Sequence, residues 1–411
     1  MTRLPRAGMT REAIEQALEA ARAGDVDWRG GRIAVYVHYA GDDVLDVAKS
    51  AYLKFFSENG LGPRAFPSLA RFESDIVAMS LDLLHGGPQA RGAMTTGGTE
   101  SIFLTVKSAR DRARAERPGL TRPTIVAARS AHAAFSKAAQ FLDMEVIRVP
   151  LADDFRADPA AMERAITQDT VLLVGSAPAY PHGVVDPIPE LGAIAERHGL
   201  WLHIDACVGG YIAPFARRLG APIPDFDFAV PGVASMSADL HKYGFAAKGA
   251  SVVLYRDEAA FRNQAFVFED WSRGRYETQS LVGTRAGGAI AAAWAVMNYL
   301  GEEGYLDKTR RILATRRHIE DGTRALGLEV WGSPELSIVA FGSRELDIFA
   351  VAEEMTRRGW FVSRLAEPPG IHLMLNLTHE PVVGTYLDNL GAAVTAVRKS
   401  RAGAQSRTAN Y

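Results

Sequence analysis

Residues 187–207, PIPELGAIAERHGLWLHIDAC, hold one complete α/β unit: a helix, a stop, and a buried strand that ends on a carboxylate. Pro187 to His198 is amphipathic, with Asp186 placed to cap its start and Gly199 to end it. Trp201 to Ile204 is a short apolar run of the kind that is covered on both faces of a sheet. Asp205 then falls at the carboxyl end of that strand, the edge at which open α/β sheets bind ligands.

The same rhythm repeats outward from this unit. Apolar runs at Thr124 to Ala128, Met144 to Val149, Val171 to Val174, Ala234 to Met236 and Ser251 to Tyr255 alternate with amphipathic stretches. This predicts an α/β fold on a mostly parallel sheet. Upstream, Thr10 to Ala23 reads as a helix with Ile14, Leu18 and Ala21 on one face, expected to pack on another surface, and Pro67 to Leu84 reads as a second helix. Gly287 to Leu300 (GGAIAAAWAVMNYL) falls short of the roughly 20 apolar residues that span a bilayer, and its small side chains suit helix packing in a core. Past residue 300 a long helix, Glu303 to Leu326, and strands at Leu336 to Phe341 and Ile371 to Leu377 predict a smaller α+β domain. The expected division is an N-terminal segment 1–65, a large domain 66–300, a small C-terminal domain 301–400 and a polar, frayed tail 401–411.

Composition narrows the partners. A chain of 411 residues with 47% hydrophobic and 23% charged residues is globular, and 46 Lys+Arg against 48 Asp+Glu provide no basic field for nucleic acid. The single cysteine, Cys207, excludes an intrachain disulfide, and the opening MTRLPRAGMTREAIEQ lacks the apolar core of a secretion signal. A cytoplasmic location, no membrane span, and small molecules or copies of itself as partners are expected.

Three further segments carry polar side chains suited to a site, one opening a helix and two following strands. Thr96 to Ser101 (TGGTES) opens a helix through Ile102, Phe103, Val106 and Ala109; its glycines allow close backbone approach, and its free N–H groups and the Thr99 hydroxyl suit an anion. The same residues also read as a tight connection. Ser237 to Lys242 (SADLHK) leaves a strand one βα unit after Asp205, which puts Lys242 and His241 at the same sheet edge, although a lone lysine reads equally as a surface charge. His132, after TIVAA, offers a planar imidazole or a helix cap. His203, Asp205 and Cys207 share one strand face and would suit a metal, but no other cluster supplies the remaining ligands; Asp205 also reads as a cap, and Cys207 as a small buried filler. Taken together, an amine, an acid, a phosphate cup and a flat ring are the four things pyridoxal 5'-phosphate asks of a protein. Lys242 would bond its aldehyde carbon, Asp205 would pair its ring nitrogen, His132 would stack on it, and the glycine turn with Thr99 and His241 would hold its phosphate.

The stretches TTGGTESI, SAHAAFSKAA, SAPAYPHGVVDPIPE, LHIDACVGGY, GVASMSADLHKYGFAAKGAS, GTRAGG and SPELSIVAFGSRELDIF follow one another in a chain that, from about residue 30 to 380, resembles the sphingosine-1-phosphate lyases. These are decarboxylase-like enzymes of the aspartate-aminotransferase fold (fold type I). The resemblance implies the same roles for Lys242, Asp205, His132, Gly98, Thr99 and His241. It also implies a homodimer in which Gly283 and Thr284 reach the cofactor phosphate from the second subunit. Tyr36 and Lys248 match residues near the substrate, with Lys248 pairing a substrate anion. Two departures bear on the substrate. The family's Asn-Pro-Leu-His-Pro-Asp run is NGLGPR here (Asn59 to Arg64), with Gly62 in place of the imidazole, and Arg364 stands where eukaryotic members have a neutral amide. A guanidinium suits a carboxylate or phosphate. The membrane-anchoring segment of the eukaryotic members is not matched, so a soluble form is expected.

The expected reaction is cleavage of a phosphorylated long-chain amino alcohol to an aldehyde and phosphoethanolamine, with Tyr36 or Lys242 as base. Amino-acid decarboxylation, or aldol cleavage of a β-hydroxy amino acid oriented by Arg364, is the alternative. A catalytically silent dimeric scaffold is a third reading, and it would be colourless.

Overall fold

The computed structural model describes residues 3–400 and 403–409. Seven strands form the main sheet: β1 (Arg91–Thr95), β2 (Thr124–Ala128), β3 (Glu145–Val149), β4 (Thr170–Ser176), β5 (Trp201–Asp205), β6 (Val233–Ala238) and β7 (Ser251–Tyr255), in spatial order β1-β7-β6-β5-β4-β2-β3. β2 to β6 run parallel; β7 is antiparallel to both of its neighbours, so β1 shares the direction of the rest. Alternation divides each strand between two cores. Val126, Leu173, Leu202, Ile204 and Met236 face the helix Ile188–His198 side, whereas Ile125, Leu172, Val174 and Val253 face the helices Gly98–Glu116 and Ala134–Phe141. Both faces being covered, the strands read as continuous apolar runs.

Gly199 ends the helix Ile188–His198 at φ 62°, a left-handed position that suits glycine. Asp186 does not cap that helix. Its carboxylate turns inward instead and accepts from the N–H groups of Ala157 and Ser176, both at 2.8 Å, because those donors are buried and have no strand partner there. Burial pushes the Asp186 carboxyl up to about 6 despite these bonds.

The helix Gly287–Ala325 joins the expected apolar stretch to the expected polar helix, with a break at Gly301 (φ 52°, ψ −170°). Its first half packs on the helices Asp42–Lys54 and Pro67–Leu83, where Trp294 stacks on Phe72 and its indole N–H donates to Asp75. After two short strands, β8 (Phe266–Phe268) and β9 (Tyr276–Thr278), the chain builds a second, antiparallel sheet from β10 (Glu329–Val330), β11 (Ile338–Gly342), β12 (Ser363–Leu365) and β13 (Gly370–Met374). Residues 32–39 lie along this small sheet: Phe361 N–H donates to Arg32 O at 2.8 Å, and Leu377 N–H to Tyr39 O at 3.3 Å. Sequence patterning does not foresee that docking, since residues 32–39 have no strand-like alternation.

No residue of the helix Arg11–Arg22 is buried, and Ile14 and Leu18 stay exposed. The expected fraying of the tail does not hold over 403–409. Ala404 N–H and the Arg407 guanidinium bond Asp347, while Gln405 and Ser406 N–H groups bond Glu353, because two acids on the helix Ile348–Arg357 and its cap collect those donors. Residues 401, 402, 410 and 411 lie outside the described residues. Among the described residues no helix is long and apolar enough to cross a membrane.

Close approach of two helices at Gly288 gives a test of the packing. A Cβ there would lie 2.8 Å from Tyr52 O and 2.9 Å from its ring. Gly288→Ala is expected to cost about 1–3 kcal/mol, read as a lower midpoint in thermal unfolding. Gly384→Ala, in a helix with open space around it, leaves the midpoint nearly unchanged.

Candidate active site

Five chain segments leave the carboxyl ends of β1, β2, β4, β5 and β6 and enclose a cavity of about 350 Å³. That volume lies within the roughly 300–1,000 Å³ of small-molecule sites. Gly98, Thr99, His132, Asp205, His241 and Lys242 all line it. Parallel pairing aligns them: Asp205 sits opposite Ser176 on β4 and Ser237 on β6, so these strands finish level.

The cup opens the helix Gly98–Glu116, whose first N–H groups have no helical acceptor. Only glycine fits at 98, because a Cβ would meet Cys207 Sγ at 2.6 Å and both Asp239 carboxylate oxygens at 3.0 Å. Glu100, buried, accepts from Thr96 N–H (2.7 Å), the Thr96 hydroxyl (2.6 Å) and Leu281 N–H (2.8 Å). One carboxylate therefore ties the cup to the loop that carries Gly283 and Thr284.

Asp205 Oδ1 accepts from Cys207 N–H at 3.1 Å and from the Ser237 hydroxyl at 3.4 Å, bonds that hold it aimed at the cavity. The metal reading finds no support: His203 is occupied by the hydroxyls of Ser235 and Ser237, burial pushes its imidazole down to about 4, and no group of metal-ligating side chains occurs among the described residues. Nor does Asp205 cap a helix; it closes the turn that follows β5. Burial raises the Cys207 thiol well above its ordinary value, which keeps it protonated and poorly nucleophilic.

Lys242 meets Asp239, 3.1 Å away. Burial alone would lower its pKa, but the carboxylates of Asp239, first, and Asp205 carry the ammonium well above the ordinary lysine value. His241 Nε2 lies 3.6 Å from Asp239, and burial lowers its pKa. The half-buried His132 accepts Ala134 N–H at Nδ1 (3.1 Å), which fixes its ring over the cavity edge-on to Tyr180.

The remaining five residues lie outside this cavity. Lys248 adjoins it, donating to His241 O at 2.9 Å; burial of its amine, then the Lys242 charge, lowers it to about 8 although the residue keeps an exposed face. Tyr36 is exposed with a left-handed backbone (φ 64°) and its ring is 6.1 Å from Phe361. Thr284 accepts from Asn59, and Gly283 faces a separate hollow with Gly60 and Leu61. Arg364 donates to Ser406 O at 2.8 Å, lies 3.8 Å from Glu353 and covers Phe349, so the tail rather than the cavity holds its guanidinium. Residue patterning passed over Asp239, Glu100 and Tyr180, all in the lining. Asp239 stood inside the quoted SADLHK run, three residues before the lysine, and that spacing was the available signal.

An acid, an amine, a flat imidazole and a glycine-lined helix start on one cavity fit pyridoxal phosphate, and the cradle at Gly98 leaves room for nothing bulkier than glycine. The site and fold define a pyridoxal-dependent enzyme of the decarboxylase type, and the pyridoxal-dependent decarboxylase conserved domain matches residues 58–343. The sphingosine-1-phosphate lyase of Arabidopsis thaliana is 43% identical over 404 residues, spanning 96% of this chain and 74% of the plant protein. A solved Burkholderia pseudomallei sphingosine-1-phosphate lyase superposes with a TM-score of 0.93 at 38% identity, covering 98% of this chain and 94% of that one. A probable L-tyrosine/L-aspartate decarboxylase of Methanothermobacter thermautotrophicus is 35% identical over 80% of this chain and 88% of its own length. The chain belongs to the sphingosine-1-phosphate lyase family and is a pyridoxal-phosphate-dependent lyase.

Removing Glu100 leaves the donors of Thr96 and Leu281 without an acceptor. Glu100→Ala is expected to weaken cofactor retention at least tenfold, about 1.4 kcal/mol, in a fluorescence titration of the cofactor-free chain. Glu100→Gln, which keeps an acceptor oxygen, falls between the two.

Proposed function

We propose that this lyase cleaves the bond between the amine-bearing and hydroxyl-bearing carbons of a phosphorylated long-chain amino alcohol, releasing an aldehyde and phosphoethanolamine. The observation that carries the reading is the convergence of Lys242, Asp205, His132 and the Gly98–Thr99 cup on one cavity with Lys248 at its margin. Lys242 would hold the cofactor's aldehyde carbon, Asp205 its ring nitrogen, His132 its face, and Gly98, Thr99 and His241 its phosphate. Bound there, the cofactor supplies an electron sink for the bond being cut.

The chain's own residues do the rest. Asp205, anchored through Oδ1 in the cavity lining, would pair with a ring nitrogen and favour a proton there. Lys248 supplies a cation for the substrate phosphate, and Tyr36 or the released Lys242 amine takes the hydroxyl proton. Gly283, Thr284 and Tyr36 lie outside their own chain's cavity, which fits a homodimer in which each subunit completes the other's site. A cytoplasmic setting suits a chain with one buried cysteine. Decarboxylation called for Arg364 to hold a carboxylate; with its guanidinium bound to Ser406 O, that reading loses its anchor.

Incubation with sphingosine 1-phosphate is expected to release a long-chain aldehyde, detected as its hydrazone. Carbon dioxide from an amino-acid panel, with no aldehyde, would overturn the proposal.

The substrate anion gives a pH test. With a pKa of about 8, the Lys248 ammonium is charged below that pH and neutral above it. KM for the phosphorylated substrate is expected to rise through pH 8 while kcat changes less. In Lys248→Met, KM is raised roughly tenfold at neutral pH and that inflection is lost.

A further inference from the structure

Three buried carboxylates line the cavity, and the roles above use two: Glu100 ties the cup to the loop at Leu281, and Asp205 serves the ring nitrogen. Asp205 spends its Oδ1 on Cys207 N–H and the Ser237 hydroxyl. Asp239 is different. It is 2% exposed, its Oδ1 has no hydrogen-bond partner, and its Oδ2 lies 3.1 Å from Lys242 Nζ. Among the described residues it is the only carboxylate within 4.0 Å of that amine. The backbone enforces the meeting: Lys242 N–H donates to Asp239 O at 3.1 Å, a turn that sends both side chains into the same cavity.

We propose that Asp239 is the berth of the Lys242 ammonium, holding that charge in the cofactor-free chain and whenever the released amine has taken up a proton, and so setting the pH at which its nitrogen becomes reactive. The inference rests on Lys242 being the cofactor-bearing lysine. An ammonium has no lone pair, so Lys242 must first give up one proton to solvent, leaving a neutral amine beside a buried carboxylate. Asp239 resists that loss, and the same attraction draws the lysine out of the way once its amine, released by the substrate, has taken up the hydroxyl proton. Asp239 acts through Lys242, as a positioning residue.

Other groups bear on the pair. Asp205 and Cys207 face Lys242 from the β5 exit, where Asp205 adds to the pull of Asp239. Lys248 and His241 from its own loop, His132 from the β2 exit and His38 from the N-terminal segment stand within reach as opposing cations, but burial lowers the pKa of each of these three histidines. Tyr243 faces it as a neutral phenol whose pKa burial raises. Asp239 is the near partner and dominates.

The test follows Lys242 alone. The full-length chain, freed of cofactor, is labelled with trace acetic anhydride from pH 6 to 11, and acetylation at Lys242 is quantified by peptide mass spectrometry. In the unaltered chain, labelling of Lys242 is expected to climb through pH 11 without levelling, whereas a free lysine reference compound in the same tube levels near the ordinary value of about 10.4. Asp239→Asn is expected to bring the midpoint down into the measured range, raise labelling at pH 8 at least tenfold, and speed pyridoxal phosphate uptake at the same pH. Asp239→Glu restores the climb. A Lys242 midpoint at or below that of the free lysine reference in the unaltered chain overturns the proposal, and this holds even if the asparagine variant fails to fold. An identical profile in a folded Asp239→Asn chain overturns it too. Failure of the cofactor assignment looks different: the chain stays colourless with added pyridoxal phosphate while Lys242 still titrates high.

Discussion

Parallel pairing of β4, β5 and β6 sets Ser176, Asp205 and Ser237 in one row across the sheet, and the site depends on that row. A slip of one residue in β5 would turn Asp205 and His203 to the opposite face and bury the carboxylate in apolar packing. The register is secured by cores on both sides. Leu202 and Ile204 belong to one cluster and Trp201 to the other, so neither face tolerates a shift. Catalytic placement here is a consequence of hydrophobic packing several residues away.

Electrostatics then specialise the row. His203 is buried and kept neutral by desolvation, with its ring nitrogens engaged by two serines, so it braces β5 against β6 without adding charge. The charged groups collect instead at the strand exits. Asp239 meets Lys242 at 3.1 Å and His241 at 3.6 Å, with Asp205 adding its charge toward Lys242, and the burial of Asp239 makes each pairing count for more than it would at the surface. Having two acids would let one serve a ring nitrogen while the other, as proposed, steadies an amine.

Segments far apart in the chain finish the surroundings. Glu100 joins the cup to the 281–285 loop, residues 32–39 lie along the small sheet, and the tail occupies Arg364 through Ser406 O. The last of these matters for substrate choice. A guanidinium that looks available in a strand such as FVSRL is satisfied by backbone from 42 residues further on. Of the two cations expected to meet a substrate anion, Lys248 stands at the cavity margin and Arg364 does not.

The α/β unit at 187–207, the glycine turn before a helix, and the acid and lysine at successive strand exits were legible in the residues themselves, because apolar runs and strand-end polar groups are local patterns. So were Gly199 as a helix stop and the small-residue helix face of 287–300. Asp186, Asp239 and Arg364 were not. Each carries a charge whose role depends on which distant donor or cation the fold brings to it: buried N–H groups of Ala157 and Ser176, the amine of Lys242, the carbonyl of Ser406. A sequence records that such a side chain exists and at what spacing. Which partner neutralises it is settled only when the sheet closes and removes water from around it.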